Sequence, residues 1–356
     1  VTGLAAPLEL AHGPAWGNRF AVAPLTNMQS NADGTLSDDE HAWLVRRAAG
    51  GFGMTMTCAA HVSRAGQCFP GQLAVWDDRF LPGLTRLATG LREAGSVSSV
   101  QLQHGGRRAD AGLSGAPVVG PWDDLTKGAA ALSTTEVEQV VEDFVAAAVR
   151  AERAGFDGVE VHGAHGYLVC QFLSDRNDRT DRYGGSFENR TRMLWEVLHG
   201  VRGATGPDFQ LGLRLTPERN GIVLAEATAL AGEALASGLL DYLDLSLWDV
   251  FKVPHEEEHR DRQLIEHFTD LRRGGTRLGV AGKIMSATDA QWCLDRGADF
   301  VLIGSGAILH HDFPRLALTD PEFRLVQPMP REHLVRESVG PVFLDYLATS
   351  WDDFVA

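Results

Sequence analysis

Two imidazoles three residues apart, with a phenol two residues beyond, make Val161-His162-Gly163-Ala164-His165-Gly166-Tyr167-Leu168 the constellation in the sequence with the most chemistry to offer. Ring N–H groups that meet at one point can hold a carbonyl oxygen and stabilise negative charge developing on it. A phenol, ordinarily titrating at about 10, can deliver a proton to carbon while staying neutral itself. The same histidines would also suit half of a metal site or a hydrogen-bonded structural pair. The residues alone leave these readings open.

Three other groups have chemistry to offer. Gln101, in Gln101-Leu102-Gln103-His104, carries both a donor and an acceptor, which suits the edge of a heterocycle or the tying-down of a loop. Arg214 interrupts the apolar run Leu211-Gly212-Leu213-Arg214-Leu215, and a charge there is costly unless it is paired or meets an anionic ligand. Two glycine turns, Ala281-Gly282-Lys283-Ile284 and Ile303-Gly304-Ser305-Gly306, could present backbone amides to a phosphate or serve simply as turns. Neither is a Walker loop, and no strand leads into G-x-G-x-x-G. His255-Glu256-Glu257-Glu258-His259 matches the H-E-x-x-H zinc spacing. Pro254 before it and three glutamates inside it leave no apolar helix face, so the reading is an exposed acidic loop and no metal is expected. His310-His311-Asp312 reads likewise as a polar cluster at a helix end.

These residues need a scaffold, and the apolar pattern supplies one. Short, nearly continuous hydrophobic runs predict strands at 19–24, 53–59, 97–102, 158–162, 210–215, 242–246, 278–282 and 300–304. Helical segments alternate with them. Ser133-Thr134-Thr135-Glu136 reads as a capping box opening a stripe of Val137, Val140, Val141, Phe144, Val145 and Ala148, ended by Gly155. Ser37-Asp38-Asp39-Glu40 reads as a second box. The expectation is an α/β fold, a (β/α)₈ TIM barrel in one domain over 1–356, with a lead-in at 1–18 and a C-terminal extension from about 320. Four long connections, 63–81, 105–132, 163–187 and 247–260, follow strands and so belong to the face where barrel sites form. The aromatic stretch holding Phe343, Tyr346, Trp351 and Phe354 would pack on its own barrel or on a second copy, making a homo-oligomer.

Composition narrows the partners. The 356 residues carry a formal net charge of −15, with 44% hydrophobic and 22% charged residues. That balance belongs to a folded globular chain, and the charge disfavours nucleic acid. No apolar run approaches the roughly 20 residues of a bilayer span, and the first residues lack the basic and apolar pattern of a secretion signal. Cys58, Cys68, Cys170 and Cys293 form no Cys-x-x-Cys pair, as expected of free thiols in the cytoplasm.

Taken together the motifs resemble the Old Yellow Enzyme family of FMN-dependent ene-reductases. The likeness runs from Asn18-Arg19-Phe20-Ala21-Val22-Ala23-Pro24-Leu25-Thr26 to Ile303-Gly304. Its most specific blocks are His162…His165-Gly166-Tyr167, Phe172-Leu173-Ser174 and Arg179-Thr180-Asp181-Arg182-Tyr183-Gly184-Gly185-Ser186-Phe187-Glu188-Asn189-Arg190. The resemblance implies that Pro24, Leu25, Thr26 and Ala59 line the flavin and that Gln101 bonds its pyrimidine edge. It implies that Arg214 faces N1 and the C2 carbonyl, and that amides near Gly282, Lys283, Gly304 and Ser305 cradle the phosphate. His162 and His165 would bind the activating oxygen of a small electron-poor alkene, with Tyr167 as proton donor and NADPH or NADH as reductant.

The chain departs from the family in two places. Ser305 stands where the family commonly has Arg, with Lys283 a candidate to supply the charge. Met28 stands where one subgroup has a substrate-facing Tyr. Larger relatives append iron–sulfur and dinucleotide domains; this chain, without a cysteine cluster, reads as a stand-alone flavoprotein. Two alternatives remain at this stage: an FMN-dependent desaturase, isomerase or dedicated biosynthetic reductase, and a flavin- or ligand-binding barrel without turnover.

Overall fold

Each of the eight apolar runs contains a strand in the computed structural model, which describes residues 3–356, so residues 1–2 of the expected lead-in lie outside the described residues. The strands are β1 (Phe20–Val22), β2 (Met54–His61), β3 (Val97–Gln103), β4 (Gly158–Gly163), β5 (Gln210–Leu215), β6 (Tyr242–Ser246), β7 (Arg277–Ala281) and β8 (Phe300–Ile303). All pair in parallel with their neighbours in chain order, and β1 pairs with β8 to close the barrel. Helices cover the outside, so the strands are buried on both faces and read as continuous apolar runs rather than alternating ones.

The helix Thr134–Ala154 forms its capping box in full, buries Val137, Val140, Val141, Phe144 and Ala148, and ends at Gly155 in the left-handed region (φ 93). The second box is only half made. Ser37 accepts the Glu40 amide at 3.0 Å, but the Glu40 carboxylate turns into the core to bind Asn27 and Ser30 instead of reaching back. It thereby anchors the loop after β1 that carries Pro24, Leu25 and Thr26. The H-E-x-x-H segment is a turn, with a 3₁₀ stretch at Glu257–His259 that buries none of its residues. Glu256 Oε1 accepts the Leu224 amide at 2.8 Å and so holds the start of the helix Leu224–Ala236.

Inside the barrel, Trp16, Tyr242 and Phe300 pack edge to face at centroid distances of 5.4, 4.8 and 5.8 Å and close the amino-terminal end. Two strand glycines admit these rings: a Cβ on Gly212 would lie 2.1 Å from Tyr242 Cζ, and one on Gly279 would lie 2.2 Å from Phe300 Cζ. Two residues further along the strands the filling turns polar, with Gln101, Glu160, Arg214 and Asp244 all buried. The C-terminal segment packs on this same chain, since Phe343 meets Trp43 at 5.7 Å and the Gly340 amide donates to Gln29 Oε1 at 2.8 Å.

Candidate active site

The polar layer forms the floor of a cavity of about 640 Å³ at the carboxyl ends of the strands. Gln101 and Arg214 lie on the floor; Pro24, Leu25, Thr26 and Ala59 form one side; Gly282, Lys283, Gly304 and Ser305 form the far end. His162, His165 and Tyr167 line it from the end of β4 and the turn that follows. A register shift in β2 between Met56 and Ala59 brings Ala59 level with Gln101. Met28 does not line the cavity; it sits on the following turn with φ 54.

Backbone geometry aims the His162, His165 and Tyr167 side chains. The chain turns sharply where β4 ends, with His165 and Gly166 both left-handed (φ 59 and 70), and the His165 amide donates to Thr216 Oγ1 at 2.8 Å. A short helix, Leu168–Leu173, follows Tyr167. The sequence gives no periodic signal for it because all six of its residues are buried. The long Arg179–Arg190 motif clamps this helix rather than the site. Arg190 donates to the Leu173 carbonyl at 2.8 Å and grips Glu226 with two bonds, while Asn177 Nδ2 holds the carbonyls of Phe172 and Tyr183.

The two imidazoles are arranged in series rather than converging on one point. His162 Nδ1 accepts the Ala164 amide at 3.2 Å, which leaves its hydrogen on Nε2, 3.2 Å from His165 Nδ1. His165 must then carry its hydrogen on Nε2, which points at Ser246 Oγ at 2.7 Å. Burial, together with the nearby Arg214 and Arg108 cations, pushes both histidines down, His165 to about 3, so the pair is neutral. Burial pushes the Tyr167 phenol up to about 12. Arg108 lies over the Tyr167 ring at 4.5 Å and donates to the His165 carbonyl at 2.5 Å.

Arg214 Nε approaches Asp244 Oδ2 to 3.0 Å, an ionic contact outside hydrogen-bond geometry, so Nε and both Asp244 oxygens lack a directed bond. Gln101 Nε2 donates to Glu160 Oε1 at 2.7 Å. At the far end, Gly282 (φ 146) occupies a conformation reserved for glycine, and a Cβ there would strike the Trp248–Asp249 backbone at 2.7 Å. Lys283 Nζ lies 3.1 Å from Asp249 Oδ2 on the rim.

Sequence reasoning missed several lining residues: Arg108, Ser246, Trp248, Tyr346 and Trp351. The two C-terminal aromatics carried a signal in the aromatic stretch, and Ser246 had one in its place at a strand's carboxyl end. Trp248 is an exposed, left-handed residue (φ 69) beside Arg219, and nothing in its neighbourhood announces it.

The family model for NADH:flavin oxidoreductase / NADH oxidase matches residues 4–319. A Bacillus subtilis protein named "Probable NADH-dependent flavin oxidoreductase YqiG" is 38% identical over 310 residues, which is 84% of this chain and 83% of that protein. Among solved structures, morphinone reductase in complex with tetrahydroNAD is 29% identical with a TM-score of 0.79, covering 93% of this chain and 94% of that one. An old yellow enzyme homologue from Zymomonas mobilis is 25% identical with a TM-score of 0.80, covering 96% and 99%.

Proposed function

The chain belongs to the NADH:flavin oxidoreductase / NADH oxidase family, the Old Yellow Enzyme family, and from that premise we propose that it is an ene-reductase acting on activated C=C bonds. It is an FMN oxidoreductase, with NAD(P)H as reductant. The substrate class is an α,β-unsaturated carbonyl compound or a nitroalkene.

The residues present fit the cofactor. The floor offers an amide at Gln101 and an incompletely bonded guanidinium at Arg214, as a heterocycle edge that accumulates negative charge requires. At the far end a Cβ on Gly304 would meet only Leu25, at 3.6 Å, so the backbone there stays open where a phosphate would need amides, while Gly282 lets its turn pack against the Trp248–Asp249 backbone. Ser305 removes a bidentate cation from that end, and Lys283 can replace it only by leaving Asp249. When bound, FMN reduced by NAD(P)H supplies the hydride for the β-carbon of the alkene.

The chain's own residues do the rest. His162 and His165 donate to the activating oxygen, which requires the His165 ring or the bound oxygen to displace an internal bond of the series. Neutral imidazoles suit this role, because they offer N–H groups without placing a fixed cation beside Arg214. Tyr167, held protonated by burial, delivers its proton to the α-carbon. Leu25, Ala59 and the aromatic rings of Tyr346 and Trp351 narrow the space and exclude water.

One observation carries the reading: a neutral imidazole pair and a protonated phenol share the wall of a cavity whose floor is Gln101 and Arg214. Its test is anaerobic reduction of the flavoprotein by NAD(P)H followed by 2-cyclohexenone. Reoxidation with formation of cyclohexanone supports the reading, and a flavin that stays reduced removes it.

A further inference from the structure

Two carboxyl groups under the cavity have no part in the chemistry above. Glu160 and Asp244 are fully buried on β4 and β6, the strands on either side of β5. Asp244 is register partner to Arg214, and Glu160 is partner to Gly212, two residues below Arg214. Glu160 Oε1 accepts from Gln101, but Glu160 Oε2 and both Asp244 oxygens have no hydrogen-bond donor among the described residues.

The other groups that face them are few. From β6 comes the Tyr242 hydroxyl, which meets Ser99 Oγ of β3 at 3.4 Å; from β4 comes neutral His162; from β5 comes Arg214, among the described residues the one cation within ion-pair distance of either carboxyl. A dry interior cannot hold two carboxylates against one guanidinium, so the pair must keep a proton. Burial raises both groups, the neighbouring Asp244 charge raises Glu160 further, and Arg214 holds Asp244 down.

We propose that the Glu160–Asp244 pair is a proton store coupled to the cofactor through Arg214, holding one proton while the cofactor is oxidised and two while it is reduced. Negative charge arriving on the far side of Arg214 draws on the cation that Asp244 now uses, and Asp244 replaces that lost compensation with a proton. The balance is simple. NAD(P)H gives up two electrons and one proton and becomes NAD(P)⁺, while the pair adds one proton from solvent. When the electrons leave for the substrate, the stored proton returns to solvent, separately from the one Tyr167 donates. The inference rests on the FMN reading of the cavity and is independent of which alkene is reduced. Glu160 and Asp244 are positioning residues here, acting through Arg214 and Gln101.

The test is a potentiometric titration of the holoprotein between about pH 6 and 8, where each proton coupled to a two-electron couple lowers the midpoint by about 30 mV per pH unit. The wild type is expected to fall by about 60 mV per pH unit, with a reduced-state absorption spectrum that does not titrate over that range. Asp244→Asn, and the volume-conserving pair Glu160→Gln with Asp244→Asn, should fall by about 30 mV per pH unit. A wild-type slope near the lower value, or a steep slope that persists in both amide variants, overturns the proton store. A shallow wild-type slope overturns the store even where a variant fails to fold. A shallow slope in a protein that still reduces enones defeats only the store; a steep, amide-sensitive slope without enone turnover defeats only the ene-reductase reading.

Discussion

Replacing Tyr167 with Phe removes one oxygen and little else, which makes its consequences calculable. The hydroxyl has no hydrogen-bond partner among the described residues, while the ring sits at 5.0 Å from His162 and under Arg108. Phe keeps those ring contacts and leaves no buried partner stranded, so the stability change should stay within about 0.5 kcal/mol. The chemical loss is another matter. A positioned general acid is worth about 10²- to 10⁴-fold, or about 3–5 kcal/mol of barrier at 1.36 kcal/mol per factor of ten. Because Tyr167 titrates at about 12, the wild-type rate of this step should not fall with rising pH until well above neutrality. Stopped-flow absorbance separates the two half-reactions: reduction of the flavin by NAD(P)H should change by less than threefold, whereas reoxidation by an enone should slow at least about 100-fold. Equal slowing of both halves, or a loss below about fivefold in the second, would refute the proton-donor assignment.

Four further outcomes follow from the geometry. Ser246→Ala removes the acceptor of the His165 Nε2 hydrogen at 2.7 Å, so the ring loses the bond that orients it; KM for an enone should rise about fivefold, near the 1 kcal/mol of one neutral hydrogen bond. An unaltered KM would show that Ser246 does not orient His165. Burial depresses His61 and His104 to about 4 and about 3, so below 6.5 the unfolded chain binds protons that the folded chain does not. Stability is therefore full above that pH and falls by about 1.4 kcal/mol per unit per histidine as pH drops towards the folded values; a melting temperature flat from pH 7 to about 4.5 would contradict this. Gly212→Ala forces a Cβ to within 2.1 Å of Tyr242 and should cost about 1–3 kcal/mol or more in urea unfolding, relieved when Tyr242 is made smaller. Lys283→Ala should weaken FMN about five- to tenfold by fluorescence titration, the worth of about 1 kcal/mol for an exposed ion contact; unchanged affinity would mean that Lys283 stays with Asp249.

Much of the scaffold could be read directly. The barrel strands fall within the expected runs or a residue or two beyond them, because a strand buried on both faces leaves an apolar run whose length is its own. β1 is the shortest at three residues, since the chain leaves the ladder after Val22 to form the cavity side at Pro24. The residue clusters chosen for chemistry do come together, apart from Met28, because strand ends in a barrel share one face. What was hidden is direction and pairing. Spacing puts His162 beside His165 but cannot reveal that the Ala164 amide, by occupying His162 Nδ1, sets the ring hydrogens in a series that ends on Ser246. The rule that singled out Arg214, a charge in an apolar strand, applied equally to Glu160 in Val159-Glu160-Val161 and to Asp244 in Leu243-Asp244-Leu245. The second capping box failed for a tertiary reason, as the core offered Glu40 better partners than its own helix end.

The central claim is that this cavity grips FMN and polarises an electron-poor double bond beside it. Purified protein reduced anaerobically with one equivalent of NAD(P)H, then mixed with 2-cyclohexenone, tests it most directly. The account predicts loss of the flavin absorption, its full return on mixing, and one equivalent of cyclohexanone. A preparation that takes up no flavin, or a reduced flavin that returns to the oxidised form only when air is admitted, would contradict it.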